Sequence, residues 1–283
     1  MSSVAGFAAC SSDSGAHSGK LSVVASFYPV AQAVTAVGGP FVEVDNLTPA
    51  GVEPHDLELT SATVDKIENA DALFYVGSGF QPAIAAAAKR RGHNTVDVSN
   101  GLLDASHDPH LWLDPTLMAK IVDRITGMLD KADPRHAGEF AHNAAAYKTK
   151  LAELDADYAT QLSNCARHEV VTAHAAFFYL GRRYGLTQRA ITGVSPDAEP
   201  DPQRVADLAA LIKRDDVTTV FYEELVPRDF AETLAKDAGV KTDVLNPIEG
   251  LTKAEIRAGD DYFSVMRRNL ASLAAALSCE RSP

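Results

Sequence analysis

The chain has 283 residues, 46% of them hydrophobic and 23% charged, and a formal net charge of -12. That length suits two domains of ordinary size, the composition excludes disordered and fibrous classes, and no apolar run approaches the roughly 18 residues of a membrane-spanning helix. The acidic balance argues against nucleic acid as a partner, which rewards clustered Lys and Arg, and fits a protein that weakly attracts cations.

In chain order, Met1 to Cys10 (MSSVAGFAAC) ends in small residues before a cysteine and runs into a polar Ser/Gly-rich stretch up to Lys20. This resembles the end of a lipoprotein signal peptide, with Cys10 as the lipidated residue and residues 1–20 as leader remnant and flexible linker. Phe7 stands where Leu is usual and nothing basic precedes the apolar stretch, so an incidental cysteine in a loose chain end is the alternative. From Leu21 onward, short apolar runs alternate with helical patterns, the signature of βα units and a parallel sheet. Strands are expected at Leu21–Phe27, Val42–Leu47, Ala72–Val76 and Thr95–Val98, with amphipathic or Ala-rich helices between them. A helix over about Thr116–Leu129 follows. A much longer one opens at Asp133-Pro134, a good N-cap followed by a residue suited to the first helical position. Phe140, Ala144, Tyr147, Leu151, Leu154, Tyr158 and Leu162 recur at spacings of three and four, which predicts one apolar stripe on a helix running to Leu162, roughly 40 Å at 1.5 Å per residue. Alternation then resumes. Strands are expected at Val170–Ala173, Arg189–Thr192, Thr218–Tyr222 and Thr242–Leu245, and helices at about Ala175–Tyr184, Pro202–Lys213, Arg228–Ala238 and Asp261–Leu277. The expected architecture is α/β: two lobes, each a four-stranded mainly parallel sheet with flanking helices, joined by one long rigid helix. The divisions fall at 21–132, 133–164 and 165–283. A single stiff connection implies little hinge motion, so movement is expected in the loops bearing His55 and His110 and around Ile248 to Lys253.

Nine histidines are present. In open α/β sheets, ligands bind outside the carboxyl ends of the strands, and three histidines meet that condition. His55 follows the second strand, His110 the fourth, and His174 closes the first strand of the second lobe. Any one alone would more often be an ordinary polar residue at an element end. Together they place three imidazoles at one edge of two facing sheets, the donor set of a zinc or similar site. Glu249, after the last strand, satisfies the same rule and would complete a tetrahedron, against the alternative of a solvated loop acid; Asp197, Glu223 and Glu224 are weaker candidates. His107 is a possible accessory ligand. His93, His136, His142 and His168 read as surface residues. No nucleophile elbow, phosphate-binding glycine loop or CxxC is visible. Cys165 and Cys279 are either a disulfide, as an oxidising compartment invites, or two free thiols.

Over Leu21 to Cys279 the chain resembles the zinc and manganese class of substrate-binding proteins of bacterial ABC importers. The resemblance rests on residues 51–56 (GVEPHD), 108–115 (DPHLWLDP), 171–180 (VTAHAAFFYL) with 184–186 (YGL), 195–200 (SPDAEP) and 261–270 (DYFSVMRRNL). It implies two lobes bridged by a long helix, metal held by His55, His110 and His174 with a carboxylate near the last strand, and delivery to a permease. It also implies a monomeric, extracytoplasmic protein, either periplasmic or held to the membrane only by a lipid anchor. Many zinc-specific members carry a long His- and acid-rich loop before the second ligand motif; here that connection is short. Members that favour manganese commonly have a carboxylate at the third position, where this chain has His174, so Zn2+ is expected ahead of Mn2+. A manganese-binding protein, an adhesin of the same fold and, more remotely, a metallohydrolase are the alternatives. With an extracytoplasmic location, Cys165 and Cys279 are expected to pair, fastening the end of the last helix to the second lobe.

Overall fold

A computed structural model describes residues 19–104, 106 and 108–280. Cys10 and His107, with most of the expected leader, lie outside the described residues. Two four-stranded sheets are present, both wholly parallel. The first contains β1 (Leu21–Ala25), β2 (Val42–Asn46), β3 (Ala72–Tyr75) and β4 (Thr95–Asp97) in the order β2-β1-β3-β4. Its helices are α1 (Tyr28–Gly38), α2 (Ser61–Asn69) and α3 (Pro82–Arg91). After α4 (Pro115–Ala132) and α5 (Ala137–Gln161) comes the second sheet, with β5 (Glu169–Thr172), β6 (Thr187–Ala190), β7 (Thr219–Tyr222) and β8 (Lys241–Val244) in the order β6-β5-β7-β8. It is flanked by α6 (Phe178–Tyr184), α7 (Pro202–Arg214), α8 (Asp229–Ala238), α9 (Lys253–Ala258) and α10 (Tyr262–Ala276). Each sheet reverses its winding between its two central strands, and such reversals open a crevice at the carboxyl edge. Among the described residues no helix is long and apolar enough to cross a membrane.

The apolar stripe of α5 is buried as its spacing predicts, from Phe140 through Tyr158. Its first turn differs. Pro134–His136 is a 3₁₀ turn rather than the start of the α-helix, because Asp133 draws that turn tight: its carboxylate accepts from the Arg135 amide at 3.2 Å and contacts His136 Nδ1 at 2.7 Å. A single apolar cluster runs from β1 through Trp112, α4, α5 and α10 to Val170 and Leu245. The two sheets therefore share a core instead of swinging on a bare rod. Asp155 on α5 also accepts two hydrogen bonds from Arg183, at 2.9 and 2.8 Å, and one from the Tyr184 hydroxyl at 2.9 Å.

Three further departures have local causes. α6 begins at Phe178, not Ala175, because the His174 carbonyl that would start it already accepts from Thr172 Oγ1 (2.8 Å) and Gln188 Nε2 (2.9 Å). β6 lies two residues earlier than its apolar half suggests; it is an edge strand, so its polar Thr187-Gln-Arg half needs no apolar partner. α9 adds a short helix to those the sequence predicts, opened by a reciprocal capping box between Thr252 and Glu255. Cys165 and Cys279 are joined by a disulfide that closes a short antiparallel bridge between the exit of α5 and the end of α10.

Candidate metal centre

Four loops, each leaving the carboxyl end of a strand, bring their functional side chains to one point. After β2, the Thr48 hydroxyl donates to the Ser26 carbonyl at 2.8 Å, and Gly51 takes a left-handed φ of +81° that turns the chain back. Gln81 Nε2 donates to the Pro54 carbonyl at 3.2 Å, and the His55 ring stands edge-on to Phe80 with centroids 4.6 Å apart. After β4, Asp108 Oδ1 accepts from the His110 amide at 2.8 Å and meets its Nδ1 at the same distance. After β5, His174 Nδ1 lies 2.6 Å from Glu223 Oε1. After β8, an Asx turn at Asn246, whose Oδ1 accepts from the Ile248 amide at 2.7 Å, presents Glu249.

Glu249 Oε1 lies 2.8 Å from His110 Nε2, 3.2 Å from His55 Nε2 and 3.4 Å from His174 Nε2. The Nε2 atoms of His110 and His174 are themselves 3.4 Å apart. One donor atom from each of the four residues lies within 4.8 Å of every other. A tetrahedral site with metal–ligand bonds of about 2.0–2.1 Å has donor–donor edges of roughly 3.4 Å, so the four donors stand close to the corners such an ion requires. Asp108 and Glu223 fix the rings: a carboxylate on Nδ1 keeps that nitrogen protonated, so that Nε2 is the atom each ring presents at the shared point.

His110, His174 and Glu249 are 0%, 1% and 2% exposed. Burial alone would raise the Glu249 carboxyl, but the His174 charge and the hydrogen bonds of His110, His174 and His55 hold it well below the usual range. Burial would lower the two buried imidazoles; Asp108 and Glu249 hold His110 above its ordinary value, and Glu223 and Glu249 hold His174 well above. Beside them, burial and then the Glu249 charge push the Glu53 carboxyl up to about 9, so it keeps its proton at neutral pH. Glu53, Asp56 and Asp197 form an acidic trio at the outer rim.

Of the weaker acid candidates, Glu223 stands behind His174, Asp197 lies in the rim trio, and Glu224 accepts from Asn246 Nδ2 at 3.0 Å. His93, His142 and His168 are exposed away from this point. His136 is only partly so, stacked on Phe41 at 3.9 Å. The orienting role of Asp108 is written in the sequence as Asp108-Pro-His110; that of Glu223 depends on a residue 49 positions from its histidine. Residues 245–251 are all buried. The loop that carries His55 is largely exposed.

Over residues 23–276 the chain matches the family profile described as "ZnuA: Zinc-uptake complex component A periplasmic". It is 40% identical over 286 residues to the zinc-binding protein AdcA of Streptococcus pyogenes serotype M18, covering 90% of this chain and 56% of that protein. The chain thus spans about half the length of that relative. It is 35% identical to the high-affinity zinc uptake system protein ZnuA of Bacillus subtilis, covering 91% of this chain and 88% of the relative. The Zn(II)-bound ZnuA-like domain of Streptococcus pneumoniae AdcA superposes with a TM-score of 0.81 at 39% identity, covering 92% of this chain and 99% of that domain.

Proposed function

The chain belongs to the ZnuA family of zinc-uptake components, and from that membership we propose that it captures one Zn2+ outside the cytoplasm and hands it to the permease of an ABC importer. The observation that carries this reading is the meeting of three imidazole Nε2 atoms, two from the first lobe and one from the second, on a single Glu249 oxygen. In this reading His55, His110, His174 and Glu249 are the ligands. Three neutral imidazoles and one carboxylate leave a bound divalent ion a net charge of about +1, and the Asp108 and Glu223 carboxylates behind the rings more than offset it. The imidazole-rich set suits zinc better than manganese, which prefers oxygen donors in greater number.

Glu249 at the fourth corner also disfavours a hydrolase, because catalytic zinc keeps that position for an activated water. The proposed organisation is a leader and linker over 1–20 with Cys10 as lipid anchor, lobes over 21–132 and 165–283, and the connecting segment 133–164. The protein acts as a monomer on the outer side of the membrane, and His107 remains a candidate accessory ligand. Protein exported from its host and purified without chelator is expected to carry about one zinc per chain by elemental analysis. Stoichiometric manganese in its place would overturn the zinc assignment, and failure to take up any divalent metal would overturn the function.

A further inference from the structure

We propose that the buried amide pair Asn246 and Asn269 is a selectivity device: it locks the turn that carries Glu249, so that the site retains an ion content with four short bonds and rejects one that needs a wider shell. The inference rests on the metal-binding reading above. Ile248, the residue before Glu249, has φ +57° and is fully buried. A β-branched side chain in the left-handed region is a true outlier and persists only where its surroundings over-determine it.

The surroundings do so from both lobes. Asn269 on α10 accepts from the Asn246 amide at 2.9 Å and donates to the Asn246 carbonyl at 2.7 Å, closing a two-bond ring. The Asn246 side chain in turn accepts from the Ile248 amide at 2.7 Å and donates to Glu224 at 3.0 Å and Glu255 at 3.3 Å. From the first lobe, Trp112 Nε1 donates to the Pro247 carbonyl at 2.7 Å. The Leu251 carbonyl accepts from the Gly51 amide at 2.9 Å. Asn246, Pro247, Ile248 and Leu251 around Glu249 are thus bonded or strained into one conformation, which is more than a carboxylate needs merely to reach a cation.

The excess restraint has a chemical consequence. A zinc ion is satisfied by four donors at about 2.0–2.2 Å. Manganese favours six, largely oxygen, and this site can widen beyond four only if Glu249 swings to chelate through both oxygens, which gives five, or retreats to admit water. A locked turn prevents both movements; a loosened one allows them.

Zinc and manganese affinities are to be measured by chelator competition on the full chain and on Asn269→Ala. The clamp predicts that the ratio of zinc to manganese affinity falls roughly tenfold or more, with zinc weakened and manganese weakened less or strengthened. Asn246→Ala provides a second route: it removes the Oδ1 that accepts from the Ile248 amide, so the turn loosens, while the ring between Asn269 and the main chain of residue 246 stays in place. It should lower the same ratio, and it decides the matter if Asn269→Ala does not fold. A folded variant that loses thermal stability but keeps the parent ratio shows that the clamp is only structural and overturns the proposal. A parent chain that binds no zinc would instead reject the metal-site reading.

Discussion

Replacing His110 by alanine is expected to lower zinc affinity roughly a hundred- to a thousandfold. Structural zinc sites release about 10–16 kcal/mol on binding, so one ligand of four is worth roughly 3–4 kcal/mol, or two to three orders of magnitude. His110 should lie at the upper end of that range, because it is fully buried and makes the shortest of the three contacts to Glu249, 2.8 Å. Its loss also takes one partner from each of two carboxylates: Asp108, whose Oδ1 faces Nδ1 at 2.8 Å and keeps only the residue-110 amide, and Glu249, which keeps His55 and His174. The helix that follows should survive, since its N-cap is Asp114, which accepts from Thr116 and Leu117 independently of the ring. His55→Ala and His174→Ala should also lose affinity, by amounts of the same order. Chelator competition with circular dichroism as the folding control is the appropriate measurement; parent-like zinc binding in all three folded variants would place the site elsewhere.

Converting both Cys165 and Cys279 to serine is expected to destabilise the fold by a few kcal/mol, up to about 5 kcal/mol. The bond closes a loop with a sequence separation of 114 residues, and the chain-entropy treatment assigns a cross-link of that span roughly 5 kcal/mol through the unfolded state. Part of the joint survives without sulfur. The Arg167 amide donates to the Leu277 carbonyl at 3.1 Å and the Glu280 amide to the Asn164 carbonyl at 3.0 Å. Zinc binding should change little, because both cysteines lie at the ends of α5 and α10, apart from the loops that carry the four donors. Denaturant unfolding of the parent and the double variant, both without metal, tests this; coincident midpoints would show that the bridge does not restrain the chain.

Those two expectations draw on features of unequal legibility. The histidines at the carboxyl ends of β2, β4 and β5 could be picked out because the alternation of apolar runs and helical stripes fixes where strands end, and ligands gather at that edge. The stripe on α5 was equally plain, since a 3.6-residue period sustained over six turns has few other readings. Elements whose stability does not come from an apolar face were harder to read: the polar half of edge strand β6, and the short α9, held by its Thr252–Glu255 capping box. The supports behind the ligands were hidden for a different reason. Glu223 meets His174, and Asn269 meets Asn246, only because separate strands and helices pack side by side. No spacing along the chain encodes either meeting.

A loop after a four-residue strand suggests freedom, whereas packing between the lobes encloses residues 245–251 entirely. The more exposed His55 loop is tied across the cleft by a main-chain bond from the Gly51 amide to the Leu251 carbonyl.

The central claim, that these four side chains and no others hold the ion, is tested most directly by a crystal structure of the zinc-loaded protein with anomalous data at the zinc edge. The account predicts one full-occupancy peak within about 2.0–2.2 Å of the Nε2 atoms of His55, His110 and His174 and of one Glu249 oxygen, in tetrahedral array. A peak on the rim acids Glu53, Asp56 and Asp197, or a shell of five or more ligands that leaves Glu249 aside, would contradict it.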